Sequence, residues 1–279
     1  MKRILFTLLI VLTAQLSFAG GGWPQPKQKG YFKLGQSFIY SSQLFGPQGD
    51  LVDITTIGLY STSLYGEYGF TNRLTGILYF PFFVKNTLNE VQFRQSGNVV
   101  PGDEFSSIGD TDIGIKYGLI TGKPVVVSAS LVLGLPLGST SGGDSQILQT
   151  GDGEFNQIIR IDASHSFYPR PFYATAYVGF NNRTNGFSDE ARFGFEVGAT
   201  FKKFIPILKL DVLQSFMNGT TPSSQNGIFS NNMEFVSPVI ELNYQAAERW
   251  GVSISGAFAL AGQNVLASPN LGFGLYFNL

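Results

Sequence analysis

Leu271-Gly-Phe-Gly-Leu-Tyr-Phe-Asn-Leu279 decides how the chain is read. Apolar side chains occupy 271, 273, 275, 277 and 279, with Gly272, Gly274, Tyr276 and Asn278 between them. Side chains on a strand point alternately to two faces, so this is a strand with one apolar face. The pattern persists to the last residue, whereas the ends of soluble domains are loose unless something ties them down. Such a strand requires a sheet partner and an apolar surrounding. A closed membrane barrel whose last strand pairs with its first supplies both.

The start of the chain agrees. Lys2 and Arg3 precede an apolar run from Ile4 to Leu16, and Ser17-Phe18-Ala19 has the small-x-small form of a cleavage site. This predicts an export signal over 1–19, cleaved after Ala19, because the apolar core is too short to span a membrane. Residues 20–30, Gly-Gly-Gly-Trp-Pro-Gln-Pro-Lys-Gln-Lys-Gly, read as a flexible periplasmic lead-in, too short for a folded plug domain. The barrel is expected over 31–279. There is no cysteine, which excludes a lipoprotein anchor, disulfides and thiolate metal sites. The formal net charge of −1 gives no basis for nucleic-acid binding. With 13% charged and 14% aromatic residues, the chain is poor in charge for a secreted soluble protein. A soluble β-sandwich is the structural rival, and it accounts less well for that balance.

Alternation repeats along the chain. Val125, Val127, Ala129, Leu131, Leu133, Leu135 and Leu137 form one face of a strand, opposite Ser128, Ser130, Gly134 and Pro136. Phe193, Phe195, Val197, Ala199 and Phe201 alternate in the same way with Arg192, Gly194, Glu196, Gly198 and Thr200. About twelve such strands are expected, each roughly ten residues or longer. Their connections alternate between short turns at 71–73, 121–123, 169–171, 202–204 and 247–249 and longer polar segments near 43–57, 88–108, 138–154, 183–189, 218–233 and 263–268. This is the asymmetry of an all-β, closed antiparallel up-and-down transmembrane barrel in a Gram-negative outer membrane, with short turns periplasmic. Aromatics cluster beside the short turns, among them Tyr68, Phe70, Tyr117, Phe167, Tyr168, Phe172, Phe201, Phe204, Tyr244, Trp250, Tyr276 and Phe277. They read as an interfacial girdle.

If the apolar face meets lipid, the opposite face lines a lumen. The strand charges then fall inside: Lys33, Lys116, Arg160, Arg192 and Lys209 against Glu67, Asp112, Asp162, Glu196, Asp211 and Glu241. Asp112 with Lys116, Arg160 with Asp162, Arg192 with Glu196, and Lys209 with Asp211 share faces, so each group can meet its own-strand partner or a neighbouring strand's charge. Paired networks filling the lumen are the favoured reading for most of these residues, and a solute path is the functional one. The near-balance of signs argues against ion selectivity. Inward Tyr65, Tyr173, Tyr177 and Tyr276 offer contacts to an apolar or sugar-like solute. A barrel of this size lies between side-chain-filled and open, so a narrow pore, or one closed by 88–108 and 138–154, is expected.

Enzyme signals are thin. The only histidine, His165, lies on the outward face with Ala163 and Phe167, while Ser164 and Ser166 face inward. Nucleophile and base cannot meet on that strand. No metal-ligand cluster or phosphate loop stands out, so no cofactor and no enzymatic activity are expected.

Tyr68-Gly-Phe-Thr-Asn-Arg-Leu74 resembles a hairpin found repeatedly in small outer-membrane barrels. Gly109-Asp-Thr-Asp-Ile-Gly-Ile-Lys-Tyr117 followed by Leu133-Gly-Leu-Pro-Leu-Gly138 resembles the core of the transporter-like family named for the meta-pathway of phenol degradation, with Leu137 where Thr is usual. The resemblance spans residues 66–138. It implies an outer-membrane barrel that passes small apolar or aromatic solutes, and it does not specify a substrate. The expected partners are outer-membrane lipid, the barrel-insertion machinery reading the terminal strand, and a small-molecule solute. A structural barrel with a plugged lumen and binding loops is the alternative.

Overall fold

The computed structural model describes residues 21–93, 95–222 and 229–279, and the export-signal reading of 1–19 lies outside them. Twelve strands make one closed wall. They are β1 Gly30–Phe45, β2 Leu51–Gly69, β3 Leu74–Leu88, β4 Thr111–Ile120, β5 Val125–Leu135, β6 Asn156–Ser166, β7 Phe172–Arg183, β8 Glu190–Ala199, β9 Phe204–Ser215, β10 Glu234–Gln245, β11 Trp250–Ala257 and β12 Asn270–Asn278. Each pairs antiparallel with the next. The terminal strand β12 closes the ring on β1, from Tyr31 opposite Asn278 to Ile39 opposite Asn270. Closure gives the strand backbones partners within the wall, the condition for crossing lipid.

The faces are inverted relative to a soluble protein. The most deeply buried large side chains include Glu67, Glu154, Glu190, Asn86, Asn181 and Asn231, whereas Phe273, Leu275, Leu131, Phe193, Phe195 and Ile254 are exposed on the outer surface. Apolar-out, polar-in alternation on every strand is the cause. At the short-turn end the girdle rings pack on one another outside the wall. Phe167 lies 4.9 Å from Phe172 and Trp250 lies 4.6 Å from Phe277. Tyr276 is a correction to that set. It is buried on the inner face, where its hydroxyl donates to Gln245 Oε1 at 2.9 Å.

The segment 43–57 also differs from the expected loop. β1 and β2 remain paired up to Phe45 opposite Leu51, past a bulge at Ser41–Gln43. Strand pairing needs only backbone groups, so a polar hairpin can extend beyond an apolar belt. Gln43 Nε2 donating to Asp53 Oδ1 at 2.8 Å ties its two arms. The segment 88–108 behaves similarly. Asp103–Ser107 lengthens the wall on β3, and Val91–Gln92 pairs with Val99–Val100 above it. It extends the wall rather than closing the mouth.

Candidate functional site

The lumen is bounded at both ends by chain that folds into it. The lead-in expected to be flexible is ordered instead, as an inner strap at the short-turn end. Gly22 N donates to Ser164 Oγ at 2.7 Å, and Ser128 Oγ donates to Gly22 O at 2.5 Å. Gln25 N donates to Thr75 Oγ1 at 2.8 Å and Gln25 Nε2 to Glu67 Oε2 at 3.0 Å. Trp23 packs edge-on to Tyr173 at 5.6 Å. The strap thus follows the inner wall from β1 to β7. The short-turn motif serves it as well: Asn72 Oδ1 accepts Lys27 N at 3.0 Å.

At the other end, 136–155 turns inward as a cap. Leu148, Thr150 and Glu154 are buried, and Asn86 Nδ2 donates to Gln149 O at 3.3 Å. Arg183, the last residue of β7, holds the cap. Its Nε donates to Glu154 Oε1 at 2.8 Å, Nη1 to Glu190 Oε1 at 2.8 Å and Nη2 to Asp152 Oδ2 at 2.9 Å. The two halves of the 109–138 motif meet here. Asp110 accepts Gly138 N and Asp152 N, each at 2.9 Å. Sequence reading did not single out Asp110, Asp152, Glu154, Arg183 or Glu190, because no strand alternation reveals which loop returns into a lumen.

The Asp152 carboxyl is pushed up to about 6 by burial and by the Asp110 carboxylate beside it, against the pull of the Glu154 amide and Arg183. Burial likewise raises Glu154. An unfolded Asp titrates near 3.9, so the folded cap holds this proton more tightly than the unfolded chain does. That contribution is full below about pH 4 and is lost as pH rises through about 6. Limited proteolysis of 136–155 is therefore expected to run slower at pH 5 than at pH 8. Asp152→Asn should remove most of the difference.

Inside the ring lies a cavity of about 740 Å³, bordered by Gly21 of the strap. All eleven charged residues named from the sequence border it, with Tyr65, Tyr173, Tyr177 and Tyr276. Tyr31 and Tyr79, not singled out above, border it too. Glycines on adjacent strands make room for the rings, since a methyl group at Gly194, Gly198 or Gly251 would overlap Tyr177, Tyr173 or Tyr276.

The charges pair mostly across strands. Lys116 Nζ meets Glu67 at 3.0 Å, with both side chains nearly inaccessible. Glu241 bridges Lys33 and Lys209, each at 3.2 Å, and Lys209 reaches Glu196 at 3.5 Å. Arg192 departs from this and binds Glu190, two residues back on its own strand, at 2.8 Å, rather than the expected Glu196. Of the own-strand pairs, Arg160 with Asp162 forms, with Nε 3.0 Å from both carboxylate oxygens. Only Lys209 and Glu196 face each other on adjacent strands. Lys116 reaches Glu67 past the intervening β3, and Lys33 reaches Glu241 past β11 and β12, so the reach of the long lysine arms across the inner face sets these pairs. Asp211 accepts Tyr177 Oη at 2.7 Å, and Tyr173 Oη donates to Glu196 at 2.6 Å. Among the described residues Asp112 makes no side-chain hydrogen bond or ion pair.

His165 sits outside the lumen, its Nδ1 2.7 Å from Pro124 O and its ring 4.6 Å from Phe167. Ser164 faces the opposite way, 2.8 Å from Thr175 Oγ1.

Comparison with known proteins adds to the fold. No protein-family model and no curated protein matches the sequence. Among solved structures, the COG4313 outer membrane channel from Pseudomonas putida F1 matches 94% of this chain and 99% of its own at 11% identity, with a TM-score of 0.58. The β domain of the Bordetella autotransporter BrkA matches 91% of this chain and 100% of its own at 11% identity, with a TM-score of 0.53. The Ralstonia pickettii toluene transporter TbuX gives 9% identity over 91% of this chain and 90% of its own, with a TM-score of 0.41. The chain therefore has the fold of outer-membrane β-barrels. A channel and an autotransporter domain match at equal identity, so that likeness leaves the activity to the lumen.

Proposed function

We propose that the protein is a passive, narrow outer-membrane channel for small solutes, exported by cleavage after Ala19, with its short turns and strap on the periplasmic side. The cavity of about 740 Å³ inside an apolar-faced wall, lined by charged and phenolic side chains, carries this reading. Charged and phenolic groups line it, and their hydrogen bonds hold the side chains in place. Small apolar or aromatic solutes are the cargo class that the resembled family's name suggests, without naming a substrate. Lipid solvates the outer face, and the insertion machinery reads β12, which ends in Leu279.

The alternative is a plugged barrel that only supports its loops, and the seated strap favours it. Planar-bilayer recording and liposome swelling with the purified chain separate the two. Discrete ion currents with uptake of small solutes are expected. A folded barrel passing neither would overturn the channel reading.

A further inference from the structure

The charges of this chain are sorted along the barrel axis. The short turns at 71–73, 121–123, 169–171, 202–204 and 247–249 hold Arg73, Lys123, Arg170, Lys202, Lys203 and Arg249, with Glu248 as their only acid. Lys27 and Lys29, where the strap leads into β1, fill the remaining junction of that rim. The long segments at the other end, 43–57, 88–108, 138–154, 183–189, 218–233 and 263–268, carry nine acidic residues and two basic ones. All eight rim cations are exposed. Among the described residues none of them enters an ion pair. The five strand cations facing the lumen, by contrast, each have a carboxylate within 3.5 Å.

The rim cations lie at all six strand junctions of this end. Neighbouring junctions are two strand spacings apart, roughly 10 Å or a little more. The Debye length at physiological ionic strength is about 8 Å, so their potentials add into a positive ring. Exposed girdle rings flank them. Phe70 stands near Arg73, Tyr168 near Arg170, Phe201 and Phe204 around Lys202 and Lys203, and Trp250 after Arg249. Such rings settle at the membrane–water boundary, which sets these turns at headgroup depth. The densest sector lies at β9–β11. Lys203 O accepts Gln245 N at 2.8 Å, and Lys203 Nζ donates to Ala246 O at 3.2 Å and lies 5.9 Å from the Tyr244 ring. The turn bearing Lys202 and Lys203 therefore abuts the turn bearing Arg249.

We infer that this basic ring docks anionic phospholipid headgroups, of the phosphatidylglycerol or cardiolipin class, in the leaflet beside the short turns. Lysine and arginine donate charge-assisted hydrogen bonds to phosphate oxygens, and the adjoining rings rest against the acyl chains. Cations at every junction match a lipid shell, which surrounds the barrel, whereas a protein partner meets one sector. The ring is also continuous with the apolar face that lipid already covers. The inference rests on the proposed orientation for which leaflet this is, but not for the class of lipid.

The test reads Trp250, one of two tryptophans in the chain and the one on this rim. The full-length barrel carrying Trp23→Phe is reconstituted in phosphatidylcholine bilayers containing brominated phosphatidylglycerol or brominated phosphatidylcholine. Quenching of Trp250 then gives the relative affinity of the two lipids. Phosphatidylglycerol should bind about fivefold more tightly at low salt, the attraction of one basic side chain to an anionic surface. The preference should fall toward unity in about 1 M salt, where the Debye length is about 3 Å. Lys203→Gln with Arg249→Gln should remove most of it, and both side chains are exposed, so the fold is retained. Lys85→Gln, at the opposite rim, should leave it unchanged. Equal binding of the two lipids, a preference that resists salt, or one that survives the double variant would overturn the docking. Equal lipid binding with salt-sensitive binding of poly-glutamate would give the rim to an acidic protein and overturn it too. The leaflet is read separately. The chain has no cysteine, so Lys123→Cys is a unique label site. A maleimide too large to cross the outer membrane should leave it unlabelled on intact cells and label it after permeabilisation. Labelling of intact cells would overturn the leaflet together with the proposed orientation, while the lipid preference is decided by the quenching alone.

Discussion

Deletion of Gly21–Lys27 is expected to raise single-channel conductance at least about twofold, because a twelve-strand barrel has little cross-section to spare. The strap lies inside the ring, on the inner faces of β2, β3, β5, β6 and β7. Its hydrogen bonds to Ser164, Ser128, Thr75, Glu67 and Asn72 leave it no equivalent position outside. Each such bond contributes about 1 kcal/mol net, so together they keep the strap seated in the resting barrel. Its loss should not unfold the wall. Ser128, Ser164 and Thr75 would turn to luminal water, and Glu67 would keep Lys116 and Tyr65.

A point variant tests the same idea. The strap passes so close over Gly69 that a methyl group there would overlap Pro26 O. Gly69→Val should displace the strap and reproduce the conductance gain. A covalent variant runs the other way. The chain has no cysteine, so Gly22→Cys with Ser164→Cys introduces a unique pair. A side chain at 22 would approach Ser164 Oγ at 3.1 Å, close enough for a disulfide. Oxidation should hold conductance at or below the unaltered level, and reduction should restore it. Unchanged conductance in the deletion and in Gly69→Val would show that the strap does not limit flow.

The wall was legible because alternation with a period of two is a strong signal once repeated twelve times. β5 and β8 show it plainly, and the alternation of short and long connections gave the even strand number. Luminal charges were legible for the same reason: a residue's face follows from its neighbours two positions away. What alternation cannot carry is the partner. Lys116 has Asp112 on its own face but pairs with Glu67 on β2, its long arm reaching past the short Thr75 of the intervening β3. Nor can it place chain outside strands. Trp23-Pro-Gln-Pro26 looked like a linker because it is short and Pro-rich. Inward side chains, Thr75, Ser128, Ser164 and Glu67, and the bare Gly69 give it a seat. Counting five cations against six anions also leaves out presentation: the Arg160 and Arg192 side chains are 37% accessible, against 2% and 1% for their carboxylate partners.

The second large effect falls on the cap. Arg183→Met is expected to destabilise the long-loop end by about 3–5 kcal/mol, the range for removing one partner of a buried ion pair. Arg183 has 3% of its side chain accessible and is the shared cation of Asp152, Glu154 and Glu190. Without it Arg192 still reaches Glu190, but Asp152 and Glu154 lose their only ion-pair partner among the described residues. Glu154 keeps the Thr184 amide at 2.7 Å, which is insufficient for a carboxylate sealed from water. The less costly response is for 136–155 to leave the mouth and hydrate its carboxylates. Proteolysis within that segment should therefore rise sharply at neutral pH, while the strand wall, which Arg183 meets only at the rim, should keep its resistance to urea. Acidification should partly rescue the variant by neutralising Asp152 and Glu154. The double variant Arg183→Met with Glu154→Gln should recover part of the loss. If Arg183→Met alone left both proteolysis and conductance unchanged, the cap would be held by the Asp110 contacts to Gly138 and Asp152, and the arginine cluster would be dispensable for closure.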